Sequence, residues 1–326
     1  AFGIASAGGA GKALAEWIIA GEPPMDLWVV DIRRFSKIHQ NENWVRNRTL
    51  ELYGKHYTLS WPHEEHESGR PFLTSPIYEK LKSIGAVFAE TFGWERAKWF
   101  DQKGEGEQYS FRRNNSFSAV AEECRAVRER VGLIDMTSFA KYEISGKDSE
   151  TFLERLCANR IPKKDGSIIL THMLNSKGRI QSELTITRFP NNIFYVLSST
   201  ASEIRDFDWF NRHVYEKEKV NIKNVTKDYG VLVLAGPKSR TVLSQITSQN
   251  LGNNDFPWLK GKEILINKIP VRALRVNYVG ELGWELHHPM SQMESLYDSI
   301  YEAGKKENII NFGTYAVNSL RMEKAY

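Results

Sequence analysis

Between Ser167 and Ser199 the chain runs through three apolar, β-branched segments in quick succession, SIILTHML, RIQSELTITRF and IFYVLSS. They are parted only by Asn175-Ser176-Lys177-Gly178 and Pro190-Asn191-Asn192. Connections this short cannot hold a crossover helix, so the three segments must form antiparallel hairpins. The pattern recurs in KEILINKI and PVRALRVNYV, which lead through Gly280-Glu281-Leu282-Gly283 into WELHH. Helical periodicity fills the intervals: AVAEECRAVRERVGLIDM, a segment capped by Asp148 or Ser149 that carries Phe152, Leu153 and Leu156, and a segment from Ser202 through Ile204, Phe207 and Phe210. Helices interleaved with antiparallel strands, without βαβ alternation, predict an α+β fold.

Composition narrows the function classes. Lysine and arginine exceed aspartate and glutamate by 44 to 40, and the excess is not gathered into a stripe that could follow a phosphate backbone, so nucleic acid is not an expected partner. No apolar run reaches the roughly 20 residues that span a bilayer, so no membrane partner is expected either. Cys124 and Cys157 are far apart and outside metal-ligand spacing, which predicts free thiols in a reducing compartment. The chain begins Ala-Phe-Gly and stops directly after a helical segment, the expectation for a piece of a longer protein.

The first half has different grammar. Lys12 to Ala20 places Leu14, Trp17 and Ile18 on one helical face, and Gly21 with Pro23-Pro24 ends it. DLWVVDI (26–32) reads as a short strand, and the following stretch to Tyr78 as helical connections around Trp44, Tyr53 and Trp61. SAGGAGKA (6–13) lies at the predicted helix N-terminus. A phosphate loop requires GxxxxGK followed by a hydroxyl residue, but Ser6 stands at the first glycine position and Ala13 at the hydroxyl position. A dinucleotide fingerprint fails at Leu14, where its third glycine belongs. Two readings stay open: a glycine-rich turn with no ligand, or unhindered backbone at Gly8, Gly9 and Gly11 that lets a flat or anionic group approach helix N-terminal amides.

Three further features invite chemistry. HEEHE (63–67) has its histidines three apart rather than the four of a zinc-binding HExxH helix, so it reads as a solvated loop. On RIQSELTITRF, Ile180, Leu184 and Ile186 share one face, and Glu183 and Thr185 therefore project together from the other. A carboxylate beside a hydroxyl on a rigid strand suits an amine or amide, although an ordinary polar strand face gives the same pattern. Glu281, between glycines in a turn, is a second carboxylate of the same ambiguity.

Taken in order, these motifs resemble a known family. GIASAGGAGKALAEWIIAGEPPMDLWVVDIRRF is similar to the C-terminal edge of the flavin domain of dimethylglycine and sarcosine dehydrogenases, and the stretch through SWPHEEHESGRP to their central domain. From AVRERVGLIDMTSFAKYEISGKD through MLNSKGRIQSELTI, VLVLAGPKSR, YVGELGWELHHP and NFGTYAVNSLRMEKAY, the chain resembles their folate-binding half, related to the aminomethyltransferase (T-protein) of glycine cleavage. The resemblance implies an edge of an FAD-binding domain over 1–33, a central domain over 34–90, and a T-protein-like folate domain over 91–326 without its C-terminal barrel. It implies FAD and tetrahydrofolate as cofactors and an N-methyl amine as substrate. It also implies an acceptor for the flavin's electrons, and residence in bacterial cytoplasm or mitochondrial matrix.

By the same resemblance Gly8, Gly9 and Gly11 meet the flavin ring, Glu183 and Thr185 contact folate with Glu183 as its base, and Glu281 hydrogen-bonds the pterin. Many relatives carry aspartate where Glu183 stands. The GxGxxG fingerprint and flavin-linking histidine of the family are not in this sequence. Two alternatives accompany the oxidative reading: a regulatory relative like the pyruvate dehydrogenase phosphatase regulatory subunit, and a folate-dependent transferase without oxidation.

Overall fold

The computed structural model describes residues 3–326. The chain opens with α1 (Gly3–Ala20), followed by short 3-10 turns and α2 (Glu42–Gly54). The predicted helix over 12–20 is present but begins at Gly3, so Gly8, Gly9 and Gly11 lie within it rather than at its N-terminus. The alanines between the glycines supply the helix propensity that the glycines lack. DLWVVDI is not a strand but two 3-10 turns, Trp28–Val30 and Ile32–Arg34, because the Asp31 carboxylate accepts the Arg33 backbone N–H and caps the second. Of the expected aromatic anchors Trp44 is partly buried, while Tyr53 and Trp61 are exposed.

α3 (Tyr78–Ser83) leads into a two-stranded antiparallel hairpin, β1 (Ala86–Thr91) and β2 (Trp94–Phe100), in a stretch where the sequence reading assigned no strands. Then follow α4 (Phe117–Glu129), β3 (Gly132–Asp135), β4 (Ala140–Ser145) and α5 (Ser149–Leu156). The predicted meander is β5 (Ile168–Leu174), β6 (Ile180–Phe189) and β7 (Ile193–Ser198). Its first turn is built by Asn175, whose side chain accepts the backbone N–H groups of Lys177 and Arg179, with Gly178 at φ +70°. The remainder is α6 (Glu203–Arg212), β8 (Asn221–Asn224), β9 (Tyr229–Ala235), α7 (Ser239–Leu243), β10 (Gly261–Ile266), β11 (Ile269–Leu274), β12 (Gly283–Pro289), α8 (Met293–Gly304), β13 (Ile310–Asn311) and α9 (Thr314–Glu323).

The strands make a five-stranded sheet of order β5-β6-β7-β4-β8 and a six-stranded sheet of order β10-β11-β12-β9-β3-β13. Every pairing is antiparallel except β3 with β13, the α+β arrangement expected from the sequence. Each sheet covers one face with its own helices. On the first, Tyr142, Ile144, Leu184, Ile186 and Val196 pack against Phe152, Leu153 and Phe210 of α5 and α6. On the second, Ile264, Ala273, Trp284 and Leu286 pack against α7 and α8 through Val242, Met293, Leu296 and Ile300. Each such side chain contributes about 1.5–3 kcal/mol by leaving water, so the two helical layers account for much of the stability. Over β3 and β9 the other face of the second sheet packs on α4 and α9 through Ile134, Val231, Val233, Val127, Ala316 and Leu320, and the remainder turns toward the first sheet, where Ile168, Phe189, Tyr195 and Leu197 meet Leu274.

The β1–β2 hairpin packs Ala86, Ala97 and Phe100 into the core of the six-stranded sheet and is also fastened by a buried carboxyl group. Glu123 of α4, 3% exposed, accepts the backbone N–H of Phe100 at 2.8 Å and of Gly313 at 2.9 Å. Gly313 tolerates no side chain, since a Cβ there would fall 2.0 Å from the Lys98 carbonyl oxygen. Burial pushes the Glu123 carboxyl up to about 7 despite the two amides, which favour the ionised form. Glu123→Ala strands both N–H groups and is expected to lower unfolding free energy by about 2–4 kcal/mol. Glu123→Gln keeps an acceptor and loses less than half of that. Urea denaturation of both variants checks this, and an alanine loss under about 0.5 kcal/mol would refute the role.

Candidate functional site

The site begins at the inner face of β6. Alternation along the strand puts Ser182, Leu184 and Ile186 toward the helices and Glu183, Thr185 and Thr187 toward the other sheet. Ile180 shares the first parity but is exposed, because the β5–β6 register shifts beside Leu174. Ser182 donates to Asp206 of α6 at 2.9 Å, fixing the roll of the strand, and burial pushes the Asp206 carboxyl up to about 6. Thr187 is fully buried, Thr185 partly buried and Glu183 half-exposed, so the strand leads outward from between the sheets to a rim. At the rim Glu183 lies opposite His172 of β5, with His172 Nε2 3.5 Å from Glu183 Oε2. The sequence reading thus placed Glu183 and Thr185 on one face correctly but did not single out His172.

Buried where the two sheets meet is a polar cluster that the sequence reading did not select. Glu285 and His287, two apart on β12, face the five-stranded sheet. The Tyr195 hydroxyl of β7 lies 3.1 Å from His287 Nδ1, and His287 Nε2 lies 3.3 Å from Glu285 Oε2. Across the same gap Arg272 of β11 donates to Glu143 of β4 at 2.6 Å. Lys141 of β4 donates to the carbonyls of Thr137 and Phe139.

Burial controls the charges here. It pushes the Glu285 carboxyl up to about 8, and among the described residues no lysine or arginine contacts that carboxyl. It holds His287 well below the usual imidazole range, with the charges of Lys141, His288 and Arg272 acting in the same direction, and it lowers Lys141 to about 7. Near neutral pH the interior therefore holds a neutral carboxyl and a neutral imidazole in contact. Glu285 is flanked in register by Val233 and Leu274, both buried, so the protein offers it few other dipoles.

Glu281 lies in the loop before β12, where Arg128 of α4 donates to its Oε1 at 2.6 Å and Lys324 stands 3.8 Å from the same oxygen. Arg128 also donates to the carbonyls of Val279 and Leu320, tying this loop to α9. The structure brings Glu183 and Thr185 together and puts Glu281 elsewhere, on a clamp. Gly8, Gly9 and Gly11 sit on an exposed helix with open space around each Cβ position. HEEHE is a loop, and among the described residues no group of three or more histidine, cysteine, aspartate or glutamate side chains could hold a metal ion. Both cysteines are free, and burial pushes the Cys157 thiol up to about 12, which keeps it from acting as a nucleophile.

Because Glu285 keeps its proton in the folded state at pH values where the unfolded chain has lost it, its contribution to stability is full below about pH 4.5 and is lost as pH rises through about 8. Glu285→Gln is expected to unfold at a temperature that falls less than that of the unmodified chain between pH 5 and 8.5. Parallel melting curves would refute the assignment.

The chain matches known proteins along its whole length. Residues 77–326 match the family described as GCVT N-terminal domain, and residues 20–75 match the FAD dependent oxidoreductase central domain. Mitochondrial dimethylglycine dehydrogenase of Rattus norvegicus is 41% identical over 100% of this chain and 38% of its own length. Mitochondrial sarcosine dehydrogenase of Homo sapiens is 31% identical over 99% of this chain and 40% of its own length. The chain thus spans about two fifths of these relatives. The glycine cleavage system aminomethyltransferase T from Bartonella henselae aligns with a TM-score of 0.65 at 21% identity, covering 78% of this chain and 63% of that one, which shows a shared fold. The chain belongs to the GCVT N-terminal domain family and, with the oxidoreductase central domain before it, to the dimethylglycine and sarcosine dehydrogenase family.

Proposed function

We propose that the junction of the two sheets, from the Glu183 rim inward to Glu285, is the crevice that receives tetrahydrofolate, and that the chain is the one-carbon-accepting part of a flavin-dependent N-methyl amine dehydrogenase acting on dimethylglycine or sarcosine. The observation that carries this reading is Glu285, a buried carboxyl without a cation on the face opposite the strand of Glu183. Such a group is unfavourable unless a ligand supplies paired N–H donors, as the aminopyrimidine edge of a pterin does. The residues present therefore fit folate. Glu285 reads the pterin edge, Thr185 offers a hydroxyl, and Glu183 at the water-accessible rim accepts a proton. Glu281 stands apart from them in the loop before β12, where Oε1 is held by Arg128 and Oε2, without a hydrogen bond among the described residues, is left to a pterin donor.

Tetrahydrofolate, when bound, supplies the amine nitrogen that captures the one-carbon unit as 5,10-methylenetetrahydrofolate. Glu183 takes up that nitrogen's proton, and His172 beside it keeps the carboxylate oriented. Toward a flavin the described residues form no cradle. Gly8, Gly9 and Gly11 offer open surface on the side of α1, where a flat ring could lie, but no helix-terminal amides, and no step of the oxidation is assigned to this chain.

Titration of the chain with tetrahydrofolate in a calorimeter tests the reading. Glu183→Ala is expected to weaken binding about tenfold, equivalent to about 1.4 kcal/mol. In the longer dehydrogenase it should slow one-carbon transfer by about 10²-fold or more while sparing amine oxidation. A chain that binds no folate would overturn this reading and favour the regulatory alternative. Equal loss of oxidation and transfer would refute the division of labour.

A further inference from the structure

The folate reading leaves His287 and Tyr195 without a task, although both are fully buried and join Glu285 in a line. A neutral imidazole between a phenol and a carboxyl has one nitrogen to donate and one to accept. If the Tyr195 hydroxyl donates to Nδ1, then Nε2–H donates to Glu285 Oε2, the arrangement that suits a carboxylate. If the acid proton of Glu285 is donated to Nε2 instead, Nδ1–H points back to the Tyr195 oxygen, the arrangement that suits the neutral acid. The line serves both protonation states without moving a heavy atom.

Resting on the reading of Glu285 as the pterin-binding carboxyl, we propose that His287 and Tyr195 are positioning residues that switch the free site from carboxylic acid to carboxylate, so that folate binding expels one proton. The proton on Glu285 leaves to solvent. The lone pair freed on one carboxylate oxygen and a lone pair already present on the other accept the ligand's N–H groups, and His287 Nε2–H keeps Oε2 in place. No electron is transferred and the ligand keeps its own protons.

The surroundings favour this exchange. Arg272 of β11 is occupied by Glu143 of β4, and Lys141 of β4 by two backbone carbonyls, so neither neutralises Glu285 in the free chain. The other titratable groups beside the line are Tyr229 of β9, which packs on Tyr195, and His288, which points to the opposite face of β12 next to Met293 and whose Nδ1 lies 2.9 Å from the Leu286 carbonyl oxygen. Burial holds the Tyr229 hydroxyl above its usual range and lowers His288 to about 4, so both are neutral at pH 7. Lys141, which burial lowers to about 7, and Asp135 of β3 beside it, whose carboxyl burial pushes up, are the rival sources of a proton among the described residues.

Calorimetric titration of the full chain with tetrahydrofolate, under anaerobic conditions at pH 7 in two buffers of different ionisation enthalpy, counts the protons. With Glu285 near 8, about 0.9 proton should be released per folate bound, and affinity should rise about tenfold from pH 6 to 7 before levelling above pH 8. Glu285→Gln should bind more weakly and release none. Tyr195→Phe, which removes the donor to Nδ1, should retain binding but shift the pH at which affinity levels off. Folate binding with no proton release, or equal release by Glu285→Gln, which would point to Lys141 or Asp135, overturns the inference while leaving the folate reading standing. Absence of any binding by the unmodified chain overturns both.

Discussion

Arg272 is the point on which the two sheets meet. The five-stranded sheet has one face sealed by α5 and α6, while the six-stranded sheet is covered by α7 and α8 on one face and, over β3 and β9, by α4 and α9 on the other, so the sheets meet through what is left of their free faces, and a wholly apolar seam would close the space between them. Arg272 instead carries a charge into the seam. Its guanidinium lies 4.9–5.1 Å from the ring centroids of Phe189, Tyr195 and Tyr229 and is bonded to Glu143 across the gap. Three aromatic faces and two carboxylates, Glu143 and, at 3.4 Å, Glu263, replace the water it has left. The same aromatic contacts place Tyr195 beside His287, so the packing of Arg272 also fixes the entry to the polar line that ends at Glu285.

The meander was legible from sequence because its information is local: alternation, turn residues and loops too short for any other connection. For the same reason Glu183 and Thr185 could be assigned a common face. The polar interior was not legible, because its meaning depends on which sheet lies opposite. YVGELGWELHH contains two glutamates, and the glycine-flanked Glu281 draws attention as a turn residue, whereas Glu285 sits in an apolar strand that reads as core. Only the tertiary arrangement shows that Glu281 is held by Arg128 and that Glu285 has no cation. A usable signal was present: a charged residue at an inward position of a strand otherwise buried on both faces is either paired or waiting for a partner. The β1–β2 hairpin escaped because WERAKWF interrupts alternation with charges that are satisfied by tertiary contacts, as in the Arg70–Glu95 pair.

The amino-terminal segment is joined to the folate-type fold by charge rather than by a core. No residue of α1 is buried, and Ile18, Ile19, Val29, Val30 and Ile32 are exposed. What holds the segment is a set of ion pairs near the β5–β6 turn and α6. Arg33 bridges Asp31 and Asp208, and Arg205 reaches Asp26 while donating to Gln181. These pairs enclose a cavity of about 260 Å³ between the segment and the hairpin that carries Glu183. Partly exposed pairs of this kind contribute little each and weaken with salt. The geometry around Glu183 is therefore set by the hairpin and the Ser182–Asp206 bond, and the segment is an addition to it.

The two carboxyl groups of the crevice suit different chemistry because they differ in access to water. A group that takes a proton from an amine must pass it on, which requires the open rim where Glu183 stands beside His172. A group that discriminates a ligand by paired hydrogen bonds gains most where water cannot compete, which requires the dry interior where Glu285 stands beside His287. Exchanging their positions would give a base unable to release its proton and a reader satisfied by solvent. On the proposed folate reading, the outward path of β6 from Thr187 to Glu183 keeps the place for transfer apart from the place for recognition.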